Sequence, residues 1–108
     1  SGSDWLWELD ANLCIRHLSR DLAQAAGRPA TQLLGVPVLE FLDPGERVSE
    51  VSFGMRELIR ALQSNEPFRD IAVPVKNGRA WWSFSGKPLF DPDGSFAGWR
   101  GVGSDVTA

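Results

Sequence analysis

From Phe68 to Thr107 the chain alternates with a period of two and is broken twice by turn sequences, a pattern that admits few folds. Ile71, Val73 and Val75 fall on one side of an extended segment, with Ala72 and Pro74 on the other. Asn77-Gly78 then supplies a hairpin turn that tolerates positive φ. The next segment, Arg79 to Phe90, sets Trp82, Phe84, Gly86 and Pro88 against Trp81, Ser83, Ser85 and Lys87. Asp91-Pro92-Asp93-Gly94 is a second turn, and Phe96 to Thr107 a third strand. Short turns force neighbouring strands to run antiparallel, so the last third of the chain is a meander with one apolar face.

The first two thirds must cover that face. Trp5-Leu6-Trp7-Glu8-Leu9 is a strand pattern that ends in Asp10-Ala11-Asn12 and resumes in Leu13 to Leu18, which predicts a first hairpin. Ser19 stands where a helix N-cap is wanted, its hydroxyl free to accept from a first-turn amide, and Gly27 stops that helix. Pro29 to Leu34 and Pro37 to Leu42 each read as a single helical turn that only packing can hold. Asp43-Pro44 opens the longest helix, with Val48, Val51, Met55, Leu58, Ile59 and Leu62 at three- and four-residue spacing; Ser64-Asn65-Glu66-Pro67 closes it. A hairpin and a meander with short helices between them make an α+β fold: one five-stranded antiparallel sheet with the helices on one face.

Composition excludes several functions. A chain of 108 residues forms a single core, and a net charge of −3 offers no electrostatic reason to bind a phosphate backbone. One cysteine permits no internal disulfide and fits a reducing compartment. No apolar run reaches the roughly 20 residues that span a bilayer, so no direct membrane insertion is expected. Ser1-Gly2-Ser3 reads as the remnant of a tag, and residues 4–108 as a single domain cut from a longer protein.

Several segments, in order and suitably spaced, resemble a PAS domain over essentially the whole chain. They are Asp4 to Asp10, Leu18-Ser19, Gln32-Leu33-Leu34-Gly35, Trp82 to Asp91, Asp93-Gly94-Ser95-Phe96 and Gly98 to Thr107. The resemblance implies a cytoplasmic sensory or dimerisation module of a bacterial signalling protein. Such modules precede a histidine kinase or a diguanylate cyclase/phosphodiesterase effector in the same polypeptide. Asp105-Val106-Thr107 looks like the family's Asp-(Ile/Val)-Thr element, which makes Asp105 and Thr107 the expected signal exit.

The residues offer little chemistry of their own. Cys14 lies on a predicted strand rather than in the helical segment from which flavin-adduct relatives present their cysteine; it reads as a small packing residue. His17, the single histidine, shares a strand with Leu13 and Ile15 and reads as a hydrogen-bonded packing residue, while the long helix holds no axial ligand. Haem and a cysteinyl flavin are therefore both disfavoured, and the cofactor is left unknown. No set of Cys, His and carboxylate residues has metal-site spacing. Ser83 and Ser85 lack a base, so this segment is not expected to be an enzyme.

A pocket and a surface remain. Alternation puts Ile71 with Val73, Trp82 with Phe84 and Gly86, and Trp99 with Gly101 and Gly103, and the resemblance implies that these sets, with Trp7 and Leu9, face the helices. There the tryptophans either fill the core or, set against glycine gaps, form a slot for a small planar or apolar ligand. Leu6, Trp81, Arg100 and Val102 fall on the opposite face, with Ala72 and Pro74; the resemblance implies that this face packs against an N-terminal flanking helix or, as a homodimer and relay surface, against a second protomer. The function expected is a sensory or regulatory domain passing a ligand or partner signal to a downstream effector. Its alternative is a ligand-free dimerisation and relay module with a filled core.

Overall fold

A computed structural model describes residues 4–42 and 52–108. Five strands, β1 (Trp5–Leu9), β2 (Ile15–Leu18), β3 (Phe68–Val75), β4 (Ala80–Phe90) and β5 (Phe96–Asp105), form one antiparallel sheet in the order β2-β1-β5-β4-β3. Helices α1 (Arg20–Ala26), α2 (Ala30–Leu33), α3 (Val38–Phe41) and α4 (Phe53–Ser64) come between the hairpin and the meander in the chain. The two ends of the sequence therefore meet at the centre of the sheet, where Trp7 pairs with Gly101 and Leu9 with Trp99. The expected fold class and strand count are what the structure contains.

Three local expectations need correction. Leu13 and Cys14 do not extend β2, because Leu13 is left-handed (φ 63°) and the Asp10 carboxylate accepts from the amides of Asn12 (2.9 Å) and Cys14 (3.0 Å), tightening the turn. Ser19 does stand at the N-cap of α1, but its hydroxyl accepts from Leu6 N at 3.1 Å, tying β1 to the helix entry instead of capping a first-turn amide. The long helix starts at Phe53: Ser52 is extended (φ −64°, ψ 161°) and its hydroxyl accepts from Met55 N at 3.0 Å. Asp43-Pro44, Val48 and Val51, predicted within that helix, lie outside the described residues.

The described part of α4 follows its periodicity. Met55, Leu58 and Leu62 are buried, Ile59 is half-buried, and Asn65 ends the helix in the left-handed region (φ 58°). Gly54 lets its first turn close on β3, since a Cβ there would sit 1.8 Å from the Ala72 carbonyl oxygen. β3 also holds Pro74, which has no N–H, so its ladder with β4 must run through Ile71, Val73 and Val75; the main-chain groups of Ala72 and Pro74 are turned away from β4, to the margin of the sheet. At the other edge, Ile15 N donates to Val36 O (2.9 Å) and Gly35 N to Ile15 O (2.7 Å). Pro88 is tolerated in β4 because β3 has ended beside Gly86, leaving that side of the strand unpaired.

Candidate functional site

The inner face of the sheet carries the expected set. Trp7, Leu9, Val73, Trp82, Phe84, Gly86, Trp99 and Gly103 are buried, and Ile71 and Gly101 are half-buried. Trp82 anchors one end, edge-on to Trp5 (5.1 Å between ring centroids) and near Phe41 (6.3 Å). Trp99 anchors the other, against Phe68 (5.3 Å) and Phe96 (6.5 Å), and its buried Nε1 has no acceptor among the described residues. Trp7 lies between these clusters.

The glycines serve Trp7. A Cβ on Gly101 would come 2.3 Å from Cζ2 and 2.5 Å from Cε2 of the Trp7 ring, and one on Gly86 would come 2.7 Å from its Cη2. Gly103 similarly makes room for Phe84, whose Cδ1 would be 2.7 Å from an added Cβ. The indole is also held laterally: Nε1 donates to Val102 O at 2.9 Å, Phe68 stacks at 6.3 Å with 23° between planes, and Phe84 meets it edge-on at 6.4 Å. The chain's own rings lie over the three glycines that were expected to face a core or a slot.

Between sheet and helices lies a void of about 30 Å³, whose wall among the described residues is apolar. Of the expected pocket residues, Trp7, Leu9 and Phe84 border it; the rest of its wall includes Ile15, Leu22, Phe41, Leu42, Leu58 and Leu62. Ile71, Val73, Trp82, Gly86, Trp99, Gly101 and Gly103 share the inner face but do not reach it. The helix contributions were missed because nothing in the sequence says which turn of a short helix lies over which strand.

The two titratable candidates lie elsewhere. His17 is exposed, opposite Glu8 in the register, and not the packing residue expected, because its side chain falls on the face away from the helices. Cys14 is half-buried at a bridge with Pro37, and neither residue borders the void. No cluster of metal-binding side chains occurs among the described residues. Among them, too, no helix is long and apolar enough to cross a membrane.

The outer face carries Leu6 (52% exposed), Trp81 (42%) and Val102 (38%), with Arg100 exposed beside Glu8 at 3.8 Å. Pro74, across from Trp81, is buried, so this end of the face is less open than the alternation predicted. Ser85 is not idle there: its hydroxyl accepts from Asp70 N at 2.9 Å and supports the left-handed residue (φ 54°) where β3 shifts register.

Trp81 also meets the exit segment. Its amide donates to Thr107 Oγ1 at 2.9 Å, and its carbonyl accepts from Val106 N at 2.8 Å. The Asp105 carboxylate accepts from Thr107 N at 2.8 Å. Thr107, through its hydroxyl and then its amide, holds the Asp105 carboxyl below its ordinary range, with a small further contribution from Lys76 against a slight opposing effect of burial. Sequence reasoning marked Asp105 and Thr107 but not their attachment to Trp81.

A five-stranded antiparallel sheet in the order 2-1-5-4-3, with helices between its second and third strands and an aromatic inner face, defines a two-layer α+β class of fold. The PAS fold family model matches residues 1–108, and the chain belongs to that family. Among solved structures it is similar to a light-oxygen-voltage domain studied with a flavin analogue (TM-score 0.73, 19% identity, 98% of this chain and 78% of that one). It is similar also to the light-oxygen-voltage domain of a blue-light activated histidine kinase from Erythrobacter litoralis (0.73, 20%, 96% and 96%). A third is the PAS domain of a protein from Colwellia psychrerythraea (0.70, 21%, 96% and 86%). No curated protein matches the chain.

Proposed function

We propose that this PAS domain is a regulatory relay with a filled core, which passes a contact on its outer sheet face to an effector joined to its C-terminal end. The observation that carries the reading is the interior void of about 30 Å³. It is room for about a water molecule or two, whereas pockets for drug-sized ligands are roughly 300–1,000 Å³. Flavin belongs to the similar light-oxygen-voltage domain; here the Trp7 ring stands over the glycine floor, and Cys14 does not border the void.

The contact is with a second copy of the chain, through Leu6, Trp81, Arg100 and Val102. Trp81 is suited to the relay because its side chain is on that face while its main chain is bonded to Val106 and Thr107. Displacing it pulls directly on the exit. The effector is a histidine kinase or a diguanylate cyclase/phosphodiesterase, and the setting is the cytoplasm. A domain sensing a small planar or apolar ligand is the competing reading.

Native mass spectrometry and an absorbance spectrum of the purified protein decide between the two. The filled-core reading expects the bare polypeptide mass and no absorption beyond tryptophan's; a stoichiometric small molecule refutes it. For the surface, Trp81→Ala is expected to lower the association state in light scattering, and an unchanged state refutes that contact.

A further inference from the structure

We infer that Trp7 occupies, in cis, a binding site for an indole-like ligand: a flat bicyclic heteroaromatic with one N–H donor. The inference rests on the filled-core reading and specifies what does the filling. Four independent features of the seat match the requirements of such a ligand rather than of a generic apolar side chain. Its floor is two glycines on adjacent strands, Gly86 and Gly101, which leave no Cβ to tilt a ring off the sheet. One wall, Phe68, is parallel to within 23°, and a second, Phe84, presents its edge at 87°. The polar contact is a main-chain carbonyl, Val102 O, placed 2.9 Å from the ring nitrogen.

An aliphatic residue would use none of the directional features, and a phenyl ring would leave the carbonyl without this donor. Truncating Trp7 would open a cleft continuous with the small apolar void, which Trp7 itself borders. Apolar cavities made by truncation stay dry and take up aromatic molecules of matching shape. The native chain, with its own indole seated, is closed to exogenous ligand.

The test uses indole as the probe and Trp7→Ala as the host. At free indole about five times its Kd, the thermal midpoint of Trp7→Ala is expected to rise by roughly 4–8 °C, and that of the native chain to stay unchanged. Benzothiophene, similar in shape but without N–H, is expected to bind about fivefold more weakly. No rise in the variant, an equal rise in the native chain, or equal binding of benzothiophene overturns the inference. A measurement on the native chain covers the case in which the variant does not fold. The Trp7 indole N–H is expected to exchange with deuterium as slowly as the amides of β1 and β5, and exchange orders of magnitude faster overturns the seat. A cofactor found on the native protein would defeat the filled-core reading; a cofactor-free native protein whose variant ignores indole defeats this inference alone.

Discussion

The seat of Trp7 makes a quantitative prediction about two glycines that look alike in sequence. At Gly86 the atoms nearest an added Cβ are all in side chains: Cη2 and Cζ2 of Trp7 at 2.7 and 2.9 Å, and Cε2 of Phe68 at 3.1 Å. The tightest contact is about 0.8 Å short of the ~3.5 Å at which carbon atoms rest, and the ring cannot slide freely because Nε1 is bonded to Val102 O. Gly86→Ala should therefore cost about 1–3 kcal/mol as overpacking. Leucine at position 7 ends short of Cζ2 and Cη2, so Trp7→Leu, itself costing about 2–4 kcal/mol, removes the obstacle. In that background Gly86→Ala should cost little, giving a coupling of about 1–2 kcal/mol. Gly101 differs, because a Cβ there also comes 2.1 Å from the Ser85 carbonyl oxygen, and main chain does not move aside. Gly101→Ala should remain costly whichever residue occupies position 7. Urea melts followed by far-ultraviolet circular dichroism, which is insensitive to the loss of one indole's fluorescence, give all the free energies. If Trp7→Leu and Gly86→Ala add to within about 0.5 kcal/mol, Trp7 is not what the glycine accommodates.

Other consequences are more local. Asp105 should titrate below its ordinary value of 3.8 in a carboxyl NMR experiment, and Thr107→Val should return it toward that value. Because the folded pKa is lowered, the Asp105–Thr107 contact contributes above the ordinary value and is lost as pH falls through the lowered one. Protection of the Thr107 amide should vanish in that acid window and persist at neutral pH. Ser52→Ala should destabilise the chain by about 1 kcal/mol in urea melts, since the hydroxyl satisfies Met55 N at the start of α4. Arg100→Ala should change stability by less than about 1 kcal/mol, the Glu8 pair being 3.8 Å long and solvent-facing, while weakening self-association in light scattering. In a full-length parent, Asp105→Asn should uncouple output while this domain keeps its fold; loss of folding would make Asp105 a structural residue.

The sheet was legible because its signals are local: alternation around Trp82 and Phe84, and the turns at Asn77-Gly78 and Asp91 to Gly94, where Asp91 N and Ser95 O close the second hairpin at 2.8 Å. Alternation likewise showed which residues share a face, whereas the choice of the inward face came from the family resemblance. What escaped depends on contacts between distant segments. Nothing near Ser19 says that its hydroxyl will serve Leu6, and nothing near Trp7 says that its ring will rest on residues 79 and 94 positions away. The glycines at 86 and 101 were noticed, but strand register was needed to see them side by side beneath one ring. Cys14 was misplaced because the Asp10 turn consumes Leu13 and Cys14, and His17 because the register shift opposite Glu8 and Leu9 turns it to the other face from Ile15.

The close approach of Gly54 to Ala72, together with Pro74 and the bonds from Ile15 to residues 35 and 36, has a consequence for how such a domain assembles. Main-chain hydrogen bonding at a free sheet edge accepts almost any extended sequence, and it is the route by which β proteins polymerise. One side of this sheet lacks a donor at Pro74 and has a helix against the Ala72 carbonyl; the other is already engaged at Ile15. Strand addition is obstructed at both margins, so growth is left to the direction perpendicular to the sheet. Contacts made that way are made by side chains, which are specific, and a single substitution can tune or abolish them without touching the fold.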